Sequence, residues 1–229
     1  MIAAWVLGLL LVVALPWRAL SKSRSGKPAS GKPPRSRTRR YLETIAEIAA
    51  LLMGLGLVVY LHDAGAADLG LGWPPAAAGR IGLVIAAVLI IGLLGAVLFL
   101  KPKRGSVREQ EAMAELPQSR DETLAYLAFT PFAGFGWEIL YRGFLLWWLT
   151  PLVGIVGAVV IASVAYGLAH GWKGRAQGLG SIVSAFLFTI GYAVTGSLWW
   201  LIAVHTALPL IGLLAGRRAR TIQAEAQPA

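Results

Sequence analysis

The chain has 229 residues, of which 57% are hydrophobic and only 14% are charged, and its formal net charge is +10. A soluble domain carries about 25% charged residues. The long apolar runs instead predict an all-α fold, a polytopic transmembrane helical bundle. The chain contains no cysteine, which excludes disulfides, thiol catalysis and cysteine-based metal sites.

The amino-terminal region combines an apolar segment with a strongly basic one. Residues 1–16 are apolar and are predicted to stay as a first helix, with a cleaved signal peptide as the alternative. Nine basic residues and no acidic one lie between Trp17 and Leu42. Mixed with Ser, Gly and Pro, they predict a disordered loop over 18–42. Anionic membrane lipids suit this loop as a partner. Nucleic acid is not a predicted partner, because the stretch lacks interleaved aromatic residues.

Hydropathy along the chain predicts about seven membrane helices. Residues 121–129 are interpreted as an interfacial lead-in to the fourth helix. Breaks are expected at Thr150-Pro151, within 171–178, and at 195–197, where turn-forming residues occur. The predicted helices lie near residues 2–17, 43–61, 80–100, 130–150, 152–172, 178–196 and 198–215.

The basic residues predict the orientation of the bundle. Nearly all of them fall in segments 18–42, 101–123 and 171–178 and in the tail from Arg217. With seven helices, these four segments share one side, and the positive-inside rule makes that side cytoplasmic. The amino terminus is then outside and the carboxyl terminus is cytoplasmic. We expect an integral protein of a bacterial inner or cell membrane.

Two charged residues lie inside the predicted fourth helix. Glu138 and Arg142 are four residues apart and therefore share a face. Charged groups in hydrocarbon cost roughly 2.5–3.5 kcal/mol each on insertion scales and usually face a cavity or a partner. One interpretation is a purely structural ion pair, and the other is a functional site.

Of two histidines on the following helices, His205 lies near this pair in predicted depth, whereas His170 is shallower and reaches it only if the fifth helix is tilted or continues inward past Gly171. His170 follows Tyr166 by four residues at the inner end of the fifth helix, and His205 lies in the middle of the seventh. At 1.5 Å per residue, Glu138 and His205 lie about 12–15 Å from the cytoplasmic surface. We expect Glu138, His170 and His205 to line one pocket. A carboxylate and two imidazoles can activate water or bind a metal such as zinc. His62, at a helix end, is interpreted as interfacial.

The order of these motifs resembles the CPBP (CAAX protease and bacteriocin-processing, or Abi) family of intramembrane proteases. The family signature is Glu-Glu-x-x-x-Arg, then aromatic-x-x-x-His, then His-x-x-x-Asn, on successive helices. The resemblance covers about 100 residues, over 121–216. Glu138 matches the second Glu and Arg142 the Arg. Tyr166 matches the aromatic residue, His170 the first His and His205 the second.

The resemblance implies a hydrolytic mechanism. In the family the first Glu and first His are thought to activate water, and the second His and the Asn to stabilise the oxyanion, with a disputed role for a metal. Two positions depart, since Trp137 replaces the first Glu and Pro209 replaces the Asn. Neither replacement supplies a base or an oxyanion donor in the same way. Glu138 could serve as the base, and Arg142 or Trp137 as the donor.

These residues predict an intramembrane endopeptidase that cleaves a peptide or membrane-protein substrate from the cytoplasmic half of the membrane. Its predicted catalytic residues are Glu138 and His170, which as a pair would activate water, and His205, which would support the tetrahedral intermediate. Two alternatives stay open, a non-catalytic relative that binds or scaffolds, and a transporter or proton pathway. The sequence leaves the oligomeric state open. It divides into N-terminal helices over 1–120, a protease-like core over 121–216 and a cytoplasmic tail over 217–229.

Overall fold

The computed structural model describes residues 2–24, 36–100, 116–172 and 174–225, and the regular structure in those ranges is helical. The predicted all-α fold is confirmed. We label the π-helical turns π1 and π2 and number the α-helices in chain order. The elements are α1 (Ile2–Leu9), π1 (Leu10–Ala14), α2 (Leu15–Arg24), α3 (Arg37–His62), α4 (Ala77–Phe99), α5 (Arg120–Glu138), π2 (Ile139–Phe144), α6 (Leu145–Ala169), α7 (Arg175–Thr195) and α8 (Trp199–Glu225).

Within the ranges that the structure describes, six stretches of helix are long and apolar enough to cross a membrane. One of them, Arg120–Ala169, has 50 residues and would measure about 75 Å at 1.5 Å per residue, more than twice the hydrocarbon thickness. Gly154 breaks this stretch with φ 73° and ψ 165°, so its two arms account for two crossings. The predicted number of about seven is therefore close.

The break in this stretch lies four residues beyond the predicted position at Thr150-Pro151. Pro151 lies inside the helix, and the chain leaves helical geometry at Gly154. Proline holds φ near −65°, which is compatible with a helix, whereas the positive φ of this turn is cheap only for glycine. The glycine thus decides where the chain reverses.

Several helices are longer than predicted, and most of the added turns are polar. The first helical stretch runs to Arg24, and α3 begins at Arg37 with the Ser36 hydroxyl accepting from the Arg39 N–H at 3.3 Å. Both ends of the loop predicted over 18–42 are therefore helical, while its centre, 25–35, lies outside the described residues. The predicted lead-in over 121–129 belongs to α5, and α8 continues to Glu225.

Contacts between segments define two ends of the bundle. At the end that carries most basic residues, Arg37 pairs with Glu122 (3.4 Å), Arg217 donates to Thr123 (2.8 Å) and the Trp172 N–H donates to Ser23 (2.9 Å). At the opposite end, the Leu198 N–H donates to the Gly70 carbonyl (2.8 Å) and the Trp199 indole to the Gly72 carbonyl (3.2 Å). This arrangement agrees with the grouping of loops that the charge pattern predicted.

The two π-helical turns meet in the core. Tyr141, on π2, is 1% exposed, and its hydroxyl donates to the Leu11 carbonyl of π1 at 3.1 Å. A π-turn breaks the regular i to i−4 ladder, so its carbonyls can accept bonds from elsewhere. The first helix is thereby fixed to the segment that carries Glu138 and Arg142. The sequence did not predict either π-turn.

Candidate active site

Glu138 is the centre of a buried polar cluster. It is the last residue of α5 and is 2% exposed. Its Oε1 accepts from Arg142 Nη1 at 2.9 Å and lies 2.7 Å from His205 Nδ1. The structure thus brings three of the residues singled out in the sequence into direct contact, from two helices that are distant in the chain.

Small residues allow α8 to approach α5 closely enough for this contact. A Cβ added to Gly134, one turn before Glu138, would lie 2.2 Å from the Thr206 hydroxyl. A Cβ added to Gly143 would lie 2.9 Å from the Leu69 carbonyl oxygen. Larger side chains at either position would force a shift of the neighbouring backbone or side chain. Gly134 thus permits the close approach of α8 that brings His205 to Glu138, and Gly143 permits the close approach of the loop that contains Leu69.

Tyr166 connects the remaining members of the cluster. The guanidinium carbon of Arg142 lies 4.0 Å from the centre of the Tyr166 ring, a cation–π contact. The phenol oxygen lies 3.5 Å from both ring nitrogens of His205, at the limit of a hydrogen bond. The ring also packs edge-on against His170, with the centroids 4.3 Å apart. Tyr166 therefore contacts Arg142, His170 and His205.

The two imidazoles are held differently. His170 Nδ1 lies 2.9 Å from the Tyr166 carbonyl, and since a carbonyl only accepts, this nitrogen carries the hydrogen. His205 Nδ1 faces a carboxylate, which also only accepts. Each ring therefore presents Nε2 as its acceptor. The predicted pairing of Glu138 with His170 is not the one observed, because the carboxylate contacts His205.

Two cavities adjoin this cluster, and four residues line both of them. The first has a volume of about 480 Å³ and the second about 730 Å³. Both are lined by Tyr166, His170, His205 and Pro209. The two imidazoles thus border both spaces, and each cavity has its own chemistry on its remaining walls.

Cavity one lies between α7 and α8, with Glu138 and Arg142 on its inner wall. The wall formed by α7 carries Gln177, Ser181 and Ser184, at spacings of four and three residues on one helical face. This polar stripe was not predicted from the sequence. Its i, i+4, i+7 spacing in an apolar helix is visible there, but hydroxyls and amides are uncharged and are tolerated in membrane helices, so the spacing alone does not indicate a site.

Cavity two lies among α2, α3 and α5, and its walls are aromatic and charged. Trp137 lines it, with its ring centroid 6.0 Å from that of Tyr141. The Tyr126 hydroxyl donates to the Pro209 carbonyl at 3.2 Å. Charged residues from the first two helical stretches also line this cavity, namely Arg18, Lys22, Arg40, Glu43 and Glu47. Both departures from the family signature, Trp137 and Pro209, therefore face the same space as the two imidazoles.

Some polar atoms at the cluster are buried without a partner among the residues that the structure describes. They are Glu138 Oε2 and Arg142 Nε and Nη2. An unsatisfied buried donor or acceptor costs about 1–3 kcal/mol. An acceptor and two donors are thus available beside cavity one for a ligand that can use both.

The side chains do not form a zinc site as they stand. Catalytic zinc is usually held by three protein ligands, and within the described ranges no three His, Asp or Glu side chains converge in that way. The Glu138–His205 contact is a hydrogen bond in which the carboxylate accepts from the imidazole.

His62 lies outside the cluster. It ends α3 and packs edge-on against Trp147, with the ring centroids 5.7 Å apart.

Comparisons with known proteins bear on the segment that contains the cluster. A family model described as "Type II CAAX prenyl endopeptidase Rce1-like" matches residues 119–211. Comparison with curated proteins and with solved structures gave no match. The matched segment begins one residue before α5 and includes Glu138, Arg142, Tyr166, His170 and His205. Over residues 119–211, which contain the whole polar cluster, the chain is therefore similar to the CPBP (Abi) family of CAAX-protease-like membrane proteins.

Proposed function

We propose that the chain is an intramembrane endopeptidase of the CPBP type. The observation that carries the proposal is the contact between Glu138 Oε1 and His205 Nδ1, which is 2.7 Å long and joins a buried carboxylate to a partly exposed imidazole beside two cavities in an apolar bundle. A carboxylate that accepts from one imidazole nitrogen holds the ring in the tautomer whose other nitrogen can take a proton. General acid–base catalysis requires such an oriented base.

The two imidazoles divide the proposed chemistry. His205 Nε2 takes a proton from the attacking water and returns it to the leaving amine as the peptide C–N bond breaks, while Glu138 orients the ring and balances the charge that forms on it. When its ring is the imidazolium, with a proton on Nε2 as well as on Nδ1, His170 donates from Nε2 to the oxyanion of the tetrahedral intermediate, the role left open by Pro209. Arg142 keeps Glu138 in place through its bond to Oε1. Glu138 and Arg142 are positioning residues in this scheme.

The cavities suggest separate routes for substrate and water. The charged mouth of cavity two suits water, because a hydrated cavity needs polar partners on its walls. Cavity one opens between α7 and α8, and its outer wall includes the exposed residues Gly180 and Leu208. A membrane-embedded peptide would enter there without leaving the apolar phase.

Cleavage of co-expressed membrane peptides by the full chain tests the proposal. We expect His205→Ala and His170→Ala each to lower the cleavage rate about 10²- to 10⁴-fold, the usual range for general acid–base groups. His62→Ala is the matched control and should leave the rate unchanged. Absence of cleavage by the wild type across a diverse library, or full cleavage by both site variants, would overturn the proposal.

A second candidate is a catalytically degenerate family member that binds a peptide or membrane protein. One observation favours it, namely that Trp137 and Pro209 both line the cavity shared by the imidazoles. The family's first carboxylate and its amide would face that cavity at these positions. Restoring the family residues with Trp137→Glu and Pro209→Asn separates this candidate from the enzyme.

We propose that the basic end of the bundle faces the cytoplasm of a bacterial cell. This follows from the positive-inside rule. The chain has no cysteine, so single cysteines placed in 25–35 and in 65–72 can be labelled with a membrane-impermeant thiol reagent. Labelling of the first site from outside intact cells would reverse the orientation.

A further inference from the structure

The polar stripe of α7 has no role in the chemistry described so far. Gln177, Ser181 and Ser184 line cavity one, and Gln177 Nε2 donates to the Ser181 hydroxyl at 3.1 Å. A hydroxyl that accepts one bond can still donate its own hydrogen. The opposite wall, on α8, is apolar and is formed by Leu201, Val204 and Leu208. The cavity is therefore a slot with one polar and one apolar side.

The slot is open because α7 and α8 diverge. They contact each other near their junction, where the Trp200 indole donates to the Thr195 hydroxyl at 3.0 Å and the Phe188 and Trp200 rings lie 6.3 Å apart. Towards the basic end, α7 packs on α6, and α8 packs on α4 and α5. A Cβ added to Gly180 would meet nothing within 4 Å, which leaves room along the stripe.

The inner wall of the slot offers both kinds of hydrogen-bonding group. Arg142 (1% exposed) has Nε and Nη2 without a partner among the described residues, and Glu138 (2% exposed) has Oε2 in the same condition. A peptide group needs one acceptor for its N–H and one donor for its carbonyl. A lipid acyl chain has neither need. The wall chemistry therefore matches a peptide better than a lipid tail.

We propose that the α7 stripe binds the backbone of an extended peptide segment, whose apolar or small side chains face α8. An extended chain in hydrocarbon must have its backbone groups satisfied by other polar groups. Ser181 and Ser184 supply them along the slot, and Glu138 and Arg142 supply them at its inner end. This inference rests on the proposed function, since it assigns the substrate-binding wall of the same site.

Single-cysteine protection tests the binding without relying on cleavage. Ser184→Cys is made in the naturally cysteine-free chain, in lipid nanodiscs, with His170→Ala added to prevent turnover. The probe is an acetylated alternating Ala-Leu hexapeptide amide. We expect it to slow modification by a lipid-soluble maleimide about tenfold. Val183→Cys, exposed on the same helix but outside the cavity lining, should show no protection.

The decisive comparison uses the same hexapeptide with N-methylated backbone amides, which cannot donate. We expect this peptide to protect at least several-fold less, because the stripe and Glu138 lose the N–H groups they accept from. Equal protection by both peptides, no protection by either, or equal protection by added phospholipid would overturn the inference.

A kinetic test separates this inference from the proposed function. With a cleaved peptide in hand, Ser181→Ala and Ser184→Ala together should raise KM about tenfold with kcat unchanged, since lost ground-state binding appears in KM. If the double variant has the KM of an active wild type, peptide binding by the stripe is refuted and the proposed protease activity still stands. Protection of the Ser184→Cys variant by the hexapeptide, together with no cleavage of any peptide by the wild type, would support peptide binding at the stripe and refute the proposed protease activity.

Discussion

The two cavities beside the imidazoles differ in which polar residues of the family signature line their walls. Cavity one keeps an ion pair whose partners are 1% and 2% exposed, whereas cavity two has an aromatic ring and a proline at the positions where the family has a carboxylate and an amide. A buried pair is costly to break, because the remaining partner keeps its charge in a low-dielectric site. The cavity-two positions carry no such mutual dependence, so they can change without unfolding the bundle.

Removal of the carboxylate charge from cavity one should have the largest effect. Glu138→Gln leaves Arg142 uncompensated, which costs roughly 3–5 kcal/mol for a buried pair, and also loses the acceptor for His205 Nδ1. We expect lower membrane abundance, earlier thermal unfolding in detergent, and loss of activity. Replacement of both residues, Glu138→Gln with Arg142→Leu, should recover abundance but not activity.

Full abundance of Glu138→Gln would show that the pair is solvated. The difference between the two cavities would then lie in their chemistry alone and not in stability.

Changes in cavity two should affect activity more than stability. If the chain is an enzyme as proposed, Trp137→Glu places a second carboxylate next to Glu138, and repulsion between the two should lower cleavage about tenfold or more. Trp137→Phe keeps the aromatic wall and should change cleavage little. Cleavage rates of membrane peptides, normalised to abundance, provide the measurement.

The opposite result identifies a degenerate protease. In that case Trp137→Glu combined with Pro209→Asn should create or greatly raise cleavage, because it returns a base and an oxyanion donor to the cavity that holds both imidazoles. Such a gain would replace the enzyme proposal with the binding one.

The smallest expected effect concerns the first helix, which lies outside the family-matched segment. Tyr141→Phe removes only the hydroxyl that donates to the Leu11 carbonyl, and one such hydrogen bond contributes about 0.5–1.5 kcal/mol. We expect a thermal unfolding temperature a few degrees lower. Tyr60→Phe, on a residue that is 82% exposed, is the control. Equal shifts for both would show that the first helix does not support the site.

The sequence predicted much of this architecture and less of the detailed contacts. Apolar runs and charge bias were sufficient for the bundle and for the grouping of loops at its two ends. Motif order was sufficient to expect that Glu138 and His205 share a pocket. The predicted partner of Glu138 was His170, whereas the observed partner is His205. Depth along a helix does not specify how that helix is rotated, so the sequence could not distinguish the two.

Other features depend on local backbone geometry that periodicity does not encode. The π-turn after Glu138 inserts an extra residue without any distinctive composition. The break at Gly154 required a positive φ that glycine allows, while the more conspicuous Pro151 stayed helical. The slot between α7 and α8 results from which neighbours each helix packs against, a long-range property of the whole bundle.

The spacing of Glu138 and Arg142 also bears on biogenesis. A membrane protein is inserted as it is synthesised, and His205 emerges 67 residues after Glu138. Because Arg142 lies one turn from Glu138 on the same helical stretch, the two charges neutralise each other before α8 exists. The helix can therefore enter the bilayer as a self-compensated unit, and the imidazole joins a carboxylate already in place. Assembly of the polar cluster is then completed only when α8 is inserted.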